Sequence, residues 1–430
     1  MTGTVMKNYY NILDKLKIDL TIKENPYSVN PDSLFRVGAR INPKRSFLFI
    51  SKIIGKHLRI NPDTMLAAGK LLGLIYLKEI CRKEEYNDIL HDYVTYLNNS
   101  GTYKHVANIN LEKKTLFIGF AETATGIANS VFSLFGENAF FICTTRQYLD
   151  NCDNRIEFLE EHSHAADQIC HLSKEELDVF DNIVLIDDEL TTGNTNLNII
   201  SRLNEISPGK TYTLISILDW RNEENLKKYK VFSEDNSLEI DSVSLIKGAI
   251  DIKKDFVFSE DEIVNIPASE EEKTIYTEII EAKINSEILN PRRIVGHSYI
   301  SKADKEAESA AKIIKGSFNT NNSVVIGSGE FIYFPALICK YLSKSSDTGI
   351  KYQSFSRSPV LRASNENYPV NFKISFIINS IVYYLYNIDD SIKNALIIFE
   401  GKISKTDIES IKKAFSKTKT EKLTLLFLLS

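Results

Sequence analysis

The stretch 183-IVLIDDELTTGNT-195 runs from four apolar residues into two adjacent carboxylates, Asp187 and Asp188, and on into hydroxyls, one glycine and an amide. A short apolar run bounded by turn residues reads as a strand buried on both faces. The continuation TTGNTNLNIISRL reads as a loop that opens a helix, which sets the acids at a strand's carboxyl end and the threonines at a helix's amino end. Ligands of parallel α/β sheets sit at such places. Adjacent carboxylates accept hydrogen bonds from a vicinal diol such as that of ribose, directly or through a divalent cation. Beyond them, free backbone N–H groups and the helix dipole favour an anion. Gly193 permits close backbone approach, while Thr191, Thr192, Asn194 and Thr195 add polar side chains around it. Diol acceptors beside a monophosphate cradle describe a ribose 5-phosphate site.

The same alternation extends outward. TLFIG is followed by AETATGIANSVFSLF, and AFFICTT and TYTLISIL add further strands, so the region predicts a mostly parallel sheet with helices on both faces. Upstream, Asn61-Pro62 opens a helix over MLAAGKLLGLIYLKEI, with Asn as cap and Pro in the first turn. A second alternating region reads SVVIGSGEFIYFPALICKYL, KYQSFSRSP and NALIIFEG. Between the two lies the acidic SEDEIVNIPASEEEKTIYTEIIEAKI, where Ser269 and Glu272 form a capping box and predict a surface or bridging helix. The expected organisation is an N-terminal arm (1–35), an α/β domain (36–252), an acidic linker or helix (253–290) and a second α/β domain (291–430).

Composition bounds the function. A chain of 430 residues is long for one core, and 43% apolar with 25% charged residues is ordinary for a globular protein. The formal charge of -5 lacks the basic footprint of a nucleic-acid binder, so small molecules are the expected partners. Five cysteines, odd in number and without a CxxC pair, fit a reduced compartment. The opening MTGTVMKNYYNILDKLKIDL has no secretory pattern, and FKISFIINSIVYYLYNI, interrupted by Lys373, falls short of a spanning helix. The expectation is a cytoplasmic protein with no membrane partner, and the sequence allows a homo-oligomer.

The stretch 183–195 resembles the phosphoribosyl pyrophosphate (PRPP) motif of type I phosphoribosyltransferases. It departs at Glu189, where most of that superfamily carries an apolar residue. NPKRSFLFISKIIGKH, FAETATG, EEHSHA and SILDWRN, with GSGEFIYFP and QSFSRSP in the C-terminal half, resemble the phosphoribosyltransferases found with bacterial tellurium-resistance and stress-response genes. That family joins the transferase domain to a C-terminal domain with a Thr-Arg-Ser-Pro signature, which here reads Ser356-Arg357-Ser358-Pro359.

The resemblance implies a type I phosphoribosyltransferase-like sheet and transfer of ribose 5-phosphate from PRPP to a small-molecule acceptor. It implies Mg2+ as cofactor, held at Asp187 and Asp188 directly or through water or substrate. Two other readings use the same residues: a non-catalytic PRPP or nucleotide sensor, and a nucleotide-cleaving enzyme running the reverse reaction. The resemblance also implies that the loop after an earlier strand, Gly119 to Gly126, receives pyrophosphate through Ala121, Thr123, Ala124, Thr125 and Gly126. Glu122 in that loop would repel pyrophosphate unless a cation or basic residue intervened; it reads either as a magnesium ligand or as a helix-start acid. Compensating charge is expected from Arg36–Arg59, which holds seven Lys or Arg and no acid, with Lys44 and Arg45 the candidates and Arg146 a third. A solvated surface is the plainer reading of that segment.

Around the acceptor, the candidates are Glu189, His162 and His164 of EEHSHA, and Trp220. The His pair has metal-ligand spacing on a strand but no third ligand, and in the family reading it belongs to a hood over the acceptor. Trp220 reads either as a stacking platform or as core. Thr191 stands where enzymes acting on 6-oxopurines carry an acid, which makes hypoxanthine or guanine the less natural acceptor.

The two halves also align with each other. TLFIGFAE matches SVVIGSGE, CTTR matches FSR, and NIVLIDD matches NALIIFE. Glu122 and Arg146 are 24 residues apart and Glu330 and Arg357 are 27; Arg146 to Asp188 is 42 and Arg357 to Glu400 is 43. Such intervals suggest that the second domain is a degenerate copy of the first, without the acidic pair and phosphate loop, in which Gly327, Ser328, Gly329, Glu330 and Arg357 form a second candidate site.

Overall fold

The computed structural model describes residues 6–42, 45–149, 154–158, 168–259, 273–344, 349–365 and 367–429. Its strands, in chain order, are β1 Met6–Ile12, β2 Leu16–Glu24, β3 Phe35–Ala39, β4 Phe47–Ser51, β5 Thr115–Gly119, β6 Ala139–Cys143, β7 Ile156–Phe158, β8 Gln168–Cys170, β9 Asn182–Leu190 and β10 Thr211–Asp219. They continue as β11 Glu239–Lys254, β12 Tyr276–Lys283, β13 Val295–Gly296, β14 Ser323–Gly327, β15 Lys351–Ser354, β16 Lys373–Ile378, β17 Ile381–Tyr386, β18 Asn394–Phe399 and β19 Lys422–Leu429.

An eight-stranded sheet has the order β1-β2-β11-β10-β9-β5-β6-β13. Its centre, β11 to β6, is parallel, and the outer strands join antiparallel. Ile183–Ile186 of β9 are all buried, as a central strand covered on both faces requires. The helix Pro62–Glu79 begins at Asn61, whose side chain accepts from the Asp63 N–H, with Pro62 in the first turn. It packs against the helix Thr125–Phe132 that follows β5.

The first residues form more than an arm. In β2, Leu16, Ile18, Leu20 and Ile22 turn inward and alternate with polar residues, and the β1–β2 hairpin extends the sheet beyond β11. The acidic segment also differs from expectation. Tyr276–Lys283 is a strand rather than a helix, and pairs parallel with β19. As an edge strand it keeps polar residues on both sides, and Glu278 and Glu281 are neutralised by Lys422 and Lys402. Ser269 and Glu272 lie outside the described residues.

The second sheet is parallel throughout, in the order β12-β19-β18-β14-β15. Four of its strands, β19-β18-β14-β15, repeat the arrangement β10-β9-β5-β6 of the first. The registers agree as well. Gly119 pairs with Ile186 and Cys143, and Gly327 pairs with Ile398 and Ser354. Three residues beyond these strand positions stand Glu122 and Arg146 in one half, Glu330 and Arg357 in the other. The second half is thus an α/β unit with the first half's strand order.

One apolar cluster runs through both halves, a second lies within the C-terminal half, and main-chain bonds join the two halves. Residues 55–60 run beside β15, with Ile60 and Tyr352 exchanging both N–H···O bonds and the Ser354 N–H donating to Gly55. The hairpin β3–β4 is tied in the same way, because the Leu361 N–H donates to Ala39 and the Tyr368 hydroxyl accepts from the Ala39 N–H. The basic segment is therefore held between the halves.

Candidate functional site

The loops that leave β5, β6 and β9 surround a cavity of about 350 Å3 at the carboxyl edge of the first sheet. Asp187, Asp188 and Glu189 enter it from β9, and Thr191 and Thr195 from the loop and helix beyond. The Asp188 N–H donates to Asp187 Oδ1 at 2.9 Å, which fixes the first carboxylate against the strand end. Burial, and then the charge of Glu189, push the Asp188 carboxyl up to about 6.

Gly193 carries the turn. Its φ is +79°, in the left-handed region, and it stands at the cap of the helix Asn194–Ile206. The Asn194 N–H donates to Thr192 Oγ1. Beneath the loop, the Tyr229 hydroxyl donates to the Gly193 carbonyl at 2.6 Å. Arg221 lies over the Tyr229 ring at 4.6 Å and is itself gripped by Asp219 through two hydrogen bonds. The cradle thus rests on a braced aromatic ring.

Opposite, the loop after β5 brings Phe120, Ala121, Glu122 and Thr123 to the cavity. The peptide Ala121–Glu122 is cis. Gln168 donates to the Ala121 carbonyl, and the Ala121 N–H donates to Thr144 Oγ1. Ala124, Thr125 and Gly126, expected to meet pyrophosphate, are buried, the last two against the second half. The Thr125 hydroxyl donates to the Glu330 carbonyl, and a Cβ on Gly126 would lie 2.3 Å from Ile332.

Glu122 lines the cavity ahead of the helix, which begins at Thr125. Its carboxylate meets the Lys56 ammonium at 2.5 Å, with both side chains under a tenth exposed, and Arg357 Nε lies 3.8 Å away. Burial raises its carboxyl, but Lys56, Arg146 and Arg357 outweigh that and hold it below the ordinary value. The repulsion expected from this acid is answered by Arg146, a candidate for that charge, together with Arg357 of the second half and Lys56, which the sequence reading did not single out.

Arg45 lies elsewhere than expected. It reaches Glu189 at 2.6 Å and donates to Thr191, with its guanidinium against Phe47 at 4.6 Å, so it stands at the phosphate loop rather than at pyrophosphate. This bridge accounts for the acid at position 189. Arg146 lines the cavity, and its N–H donates to Glu330. Lys44, His162 and His164 lie outside the described residues. Trp220 is buried, stacked on Phe49 at 5.2 Å and edge-on to Phe35, so it supports the cavity wall without lining it. Leu48, Phe49 and Phe120 supply the apolar wall.

The sequence reading passed over Arg40, Lys56 and His57, all within the basic segment, although its lack of acids was the available signal. The buried His57 imidazole is pushed down to about 3 by burial, Lys56 and Arg40, and so stays neutral. The Ser356-Arg357-Ser358-Pro359 signature lines this same cavity. Ser328, Gly329, Glu330 and Arg357 also border a smaller cavity of about 210 Å3, which shares Glu122 and Arg357 with the main one. Gly327 does not, being packed under Phe331 and Tyr352.

Among the described residues no group of three or more His, Cys, Asp or Glu side chains is arranged to hold a metal. Two carboxylates at the strand end nevertheless fit Mg2+, which takes one or two protein carboxylates and completes its shell with water and substrate phosphates. No helix among the described residues is long and apolar enough to cross a membrane.

The paired acids and the opening of the helix Asn194–Ile206 stand together at the carboxyl edge of the parallel strands, where ligands of such sheets are bound. The family model described as phosphoribosyl transferase matches residues 34–249, and the chain belongs to that family. The model of the TRSP domain, C-terminal to that transferase, matches residues 295–415. No curated protein matches the chain. Among solved structures it is similar to the adenine phosphoribosyl transferase of Trypanosoma brucei, at 11% identity over 61% of this chain and 92% of that one, with a TM-score of 0.31. The adenine phosphoribosyltransferase of Leishmania donovani is 18% identical over 49% and 75%, at 0.30. The orotate phosphoribosyltransferase of Francisella tularensis is 10% identical over 49% and 80%, at 0.25.

Proposed function

We propose that the protein transfers ribose 5-phosphate from PRPP to a planar, nucleobase-like acceptor in a magnesium-dependent reaction that releases pyrophosphate. One observation carries this reading: a single cavity is lined by the acidic pair, by Thr191 and Thr195 of the loop and helix beyond it, by three cations around Glu122 and by an apolar wall. The loop Thr191–Thr195 takes the 5-phosphate. Asp187 and Asp188 take the ribose hydroxyls, and Leu48, Phe49 and Phe120 shelter the acceptor.

In the transfer, the bond between C1 and the pyrophosphate oxygen breaks, and its electron pair leaves with pyrophosphate. The acceptor's nucleophilic atom bonds to C1 and sheds its proton to solvent. Lys56 and Arg146 hold the departing negative charge, and the neutral His57 offers a hydrogen bond without adding charge. Asp187 and Asp188 would hold Mg2+, which would supply further charge stabilisation. By its sequence resemblance we place this chemistry in a bacterial stress response, and by its cysteine usage in the cytoplasm.

The test is pyrophosphate release from PRPP with a panel of nucleobases, beside calorimetric PRPP binding. Release with one acceptor, abolished in Asp187→Asn/Asp188→Asn while circular dichroism is unchanged, supports the reading. Binding without release under any acceptor assigns a sensor instead, and undiminished release in the double variant refutes the site.

A further inference from the structure

The smaller cavity and the repeated strand order together ask what the second half does. At the place corresponding to Asp188, reached by counting from the paired residues Ile186 and Ile398, stands Glu400. Its carboxylate is taken by Arg292 through two hydrogen bonds of 2.8 Å. The helix that follows, Lys405–Phe415, closes its own mouth, because Ser404 and Asp407 form a capping box and Asp407 puts an acid in the first turn. The corresponding helix of the first half has neither. The second half thus lacks both the diol acceptors and the anion cradle.

What it retains faces the other half. Glu122 of the first half meets Arg357 of the second, and Glu330 of the second accepts from Thr145 and the Arg146 N–H of the first. Each copy's glutamate is turned to the other's arginine position. Arg357 is also held in place: the Ser356 N–H and carbonyl bond to Tyr384, the Tyr386 hydroxyl donates to Ser358, and Arg357 donates to the Tyr383 hydroxyl at 3.2 Å. Arg357 lines the main cavity beside Lys56 and Arg146.

We propose that the C-terminal half is a degenerate copy whose remaining task is to supply Arg357 to the first half's site, where it binds the pyrophosphate group of PRPP, one PRPP per chain. The proposal rests on the phosphoribosyl reading above. Arg357 stays charged throughout, donating hydrogen bonds to oxygens that gain charge as the C1–oxygen bond breaks; no proton moves through it. Glu122 acts as a positioning residue, aligning Lys56 and Arg357 from below.

The experiment is calorimetry on the full chain with inorganic pyrophosphate, ribose 5-phosphate and PRPP, each in magnesium buffer. In Arg357→Gln the affinities for pyrophosphate and PRPP should fall about 10- to 100-fold, the range for losing hydrogen bonds to a charged group. Ribose 5-phosphate affinity should hold, Arg357→Lys should recover part of the loss, and the unaltered chain should bind a single PRPP. Unchanged pyrophosphate affinity in Arg357→Gln overturns the proposal. So does equal loss for ribose 5-phosphate, which a merely structural role would give, and so do two PRPP per chain. If the unaltered chain binds none of the three, the phosphoribosyl reading falls and the proposal with it.

Discussion

Replacing Gly193 by alanine tests how rigidly the phosphate cradle is built. An added Cβ would lie 2.4 Å from the Tyr229 hydroxyl and 2.8 Å from the ring. The ring cannot swing aside freely, since Arg221 covers it and Asp219 holds Arg221. Alanine at φ +79° costs roughly 1–2 kcal/mol by itself. Losing the Tyr229–Gly193 hydrogen bond adds about 1 kcal/mol. The sum, about 2–3 kcal/mol, opposes the loop geometry that the phosphate needs and corresponds to a 30- to 150-fold loss of affinity. Titration of ribose 5-phosphate by calorimetry reads it directly, with circular dichroism confirming the fold. Pairing the change with Tyr229→Ala removes the clash but keeps both the backbone cost and the lost hydrogen bond, so only loss beyond that sum should return. Affinity within about two-fold of the unaltered chain would refute the claim that this turn forms the cradle.

Lys56→Met strands the buried Glu122 carboxylate and should cost about 3–5 kcal/mol in denaturant unfolding, most of it recovered by adding Glu122→Gln. Because the Glu122 carboxyl is held low, its contribution is present above the ordinary carboxylate value and lost as pH falls through the folded one; this acid limb of the stability profile should weaken in Lys56→Met. Asp188 runs the opposite way. Its raised carboxyl favours the folded state while protonated, and that contribution is lost as pH rises through about 6, whereas ribose hydroxyls need the ionised form. PRPP affinity should therefore climb around that pH, and comparison with Asp188→Asn, which should flatten the climb, separates it from titration of the ligand's own phosphates.

The central strands and the acid-to-threonine motif could be read in advance, because a strand buried on both faces is apolar along its length and leaves its polar residues at the end where the site forms. Glu330 and Arg357 also came within reach through the intervals shared by the halves. Their destination did not: nothing local in Ser356–Pro359 says that it lines a cavity formed by residues between Arg40 and Thr195. Lys56 was hidden among seven basic residues, and only the pairing of residues 55–60 with β15 selects it. Tyr276–Lys283 read as helix because an edge strand may carry charge on both faces, and its partner β19 lies about 146 residues away. The β1–β2 hairpin was legible in the period-two alternation of β2 and was passed over.

The way Gly126 and Thr125 sit against Ile332 and Glu330 bears on how this protein can be dissected. A fragment cut at the acidic stretch would carry the motif intact yet bare an apolar seam along the helix Thr125–Phe132 and leave residues 55–60 without the strand they lie beside. A screen for the acceptor therefore belongs on a chain that keeps both halves.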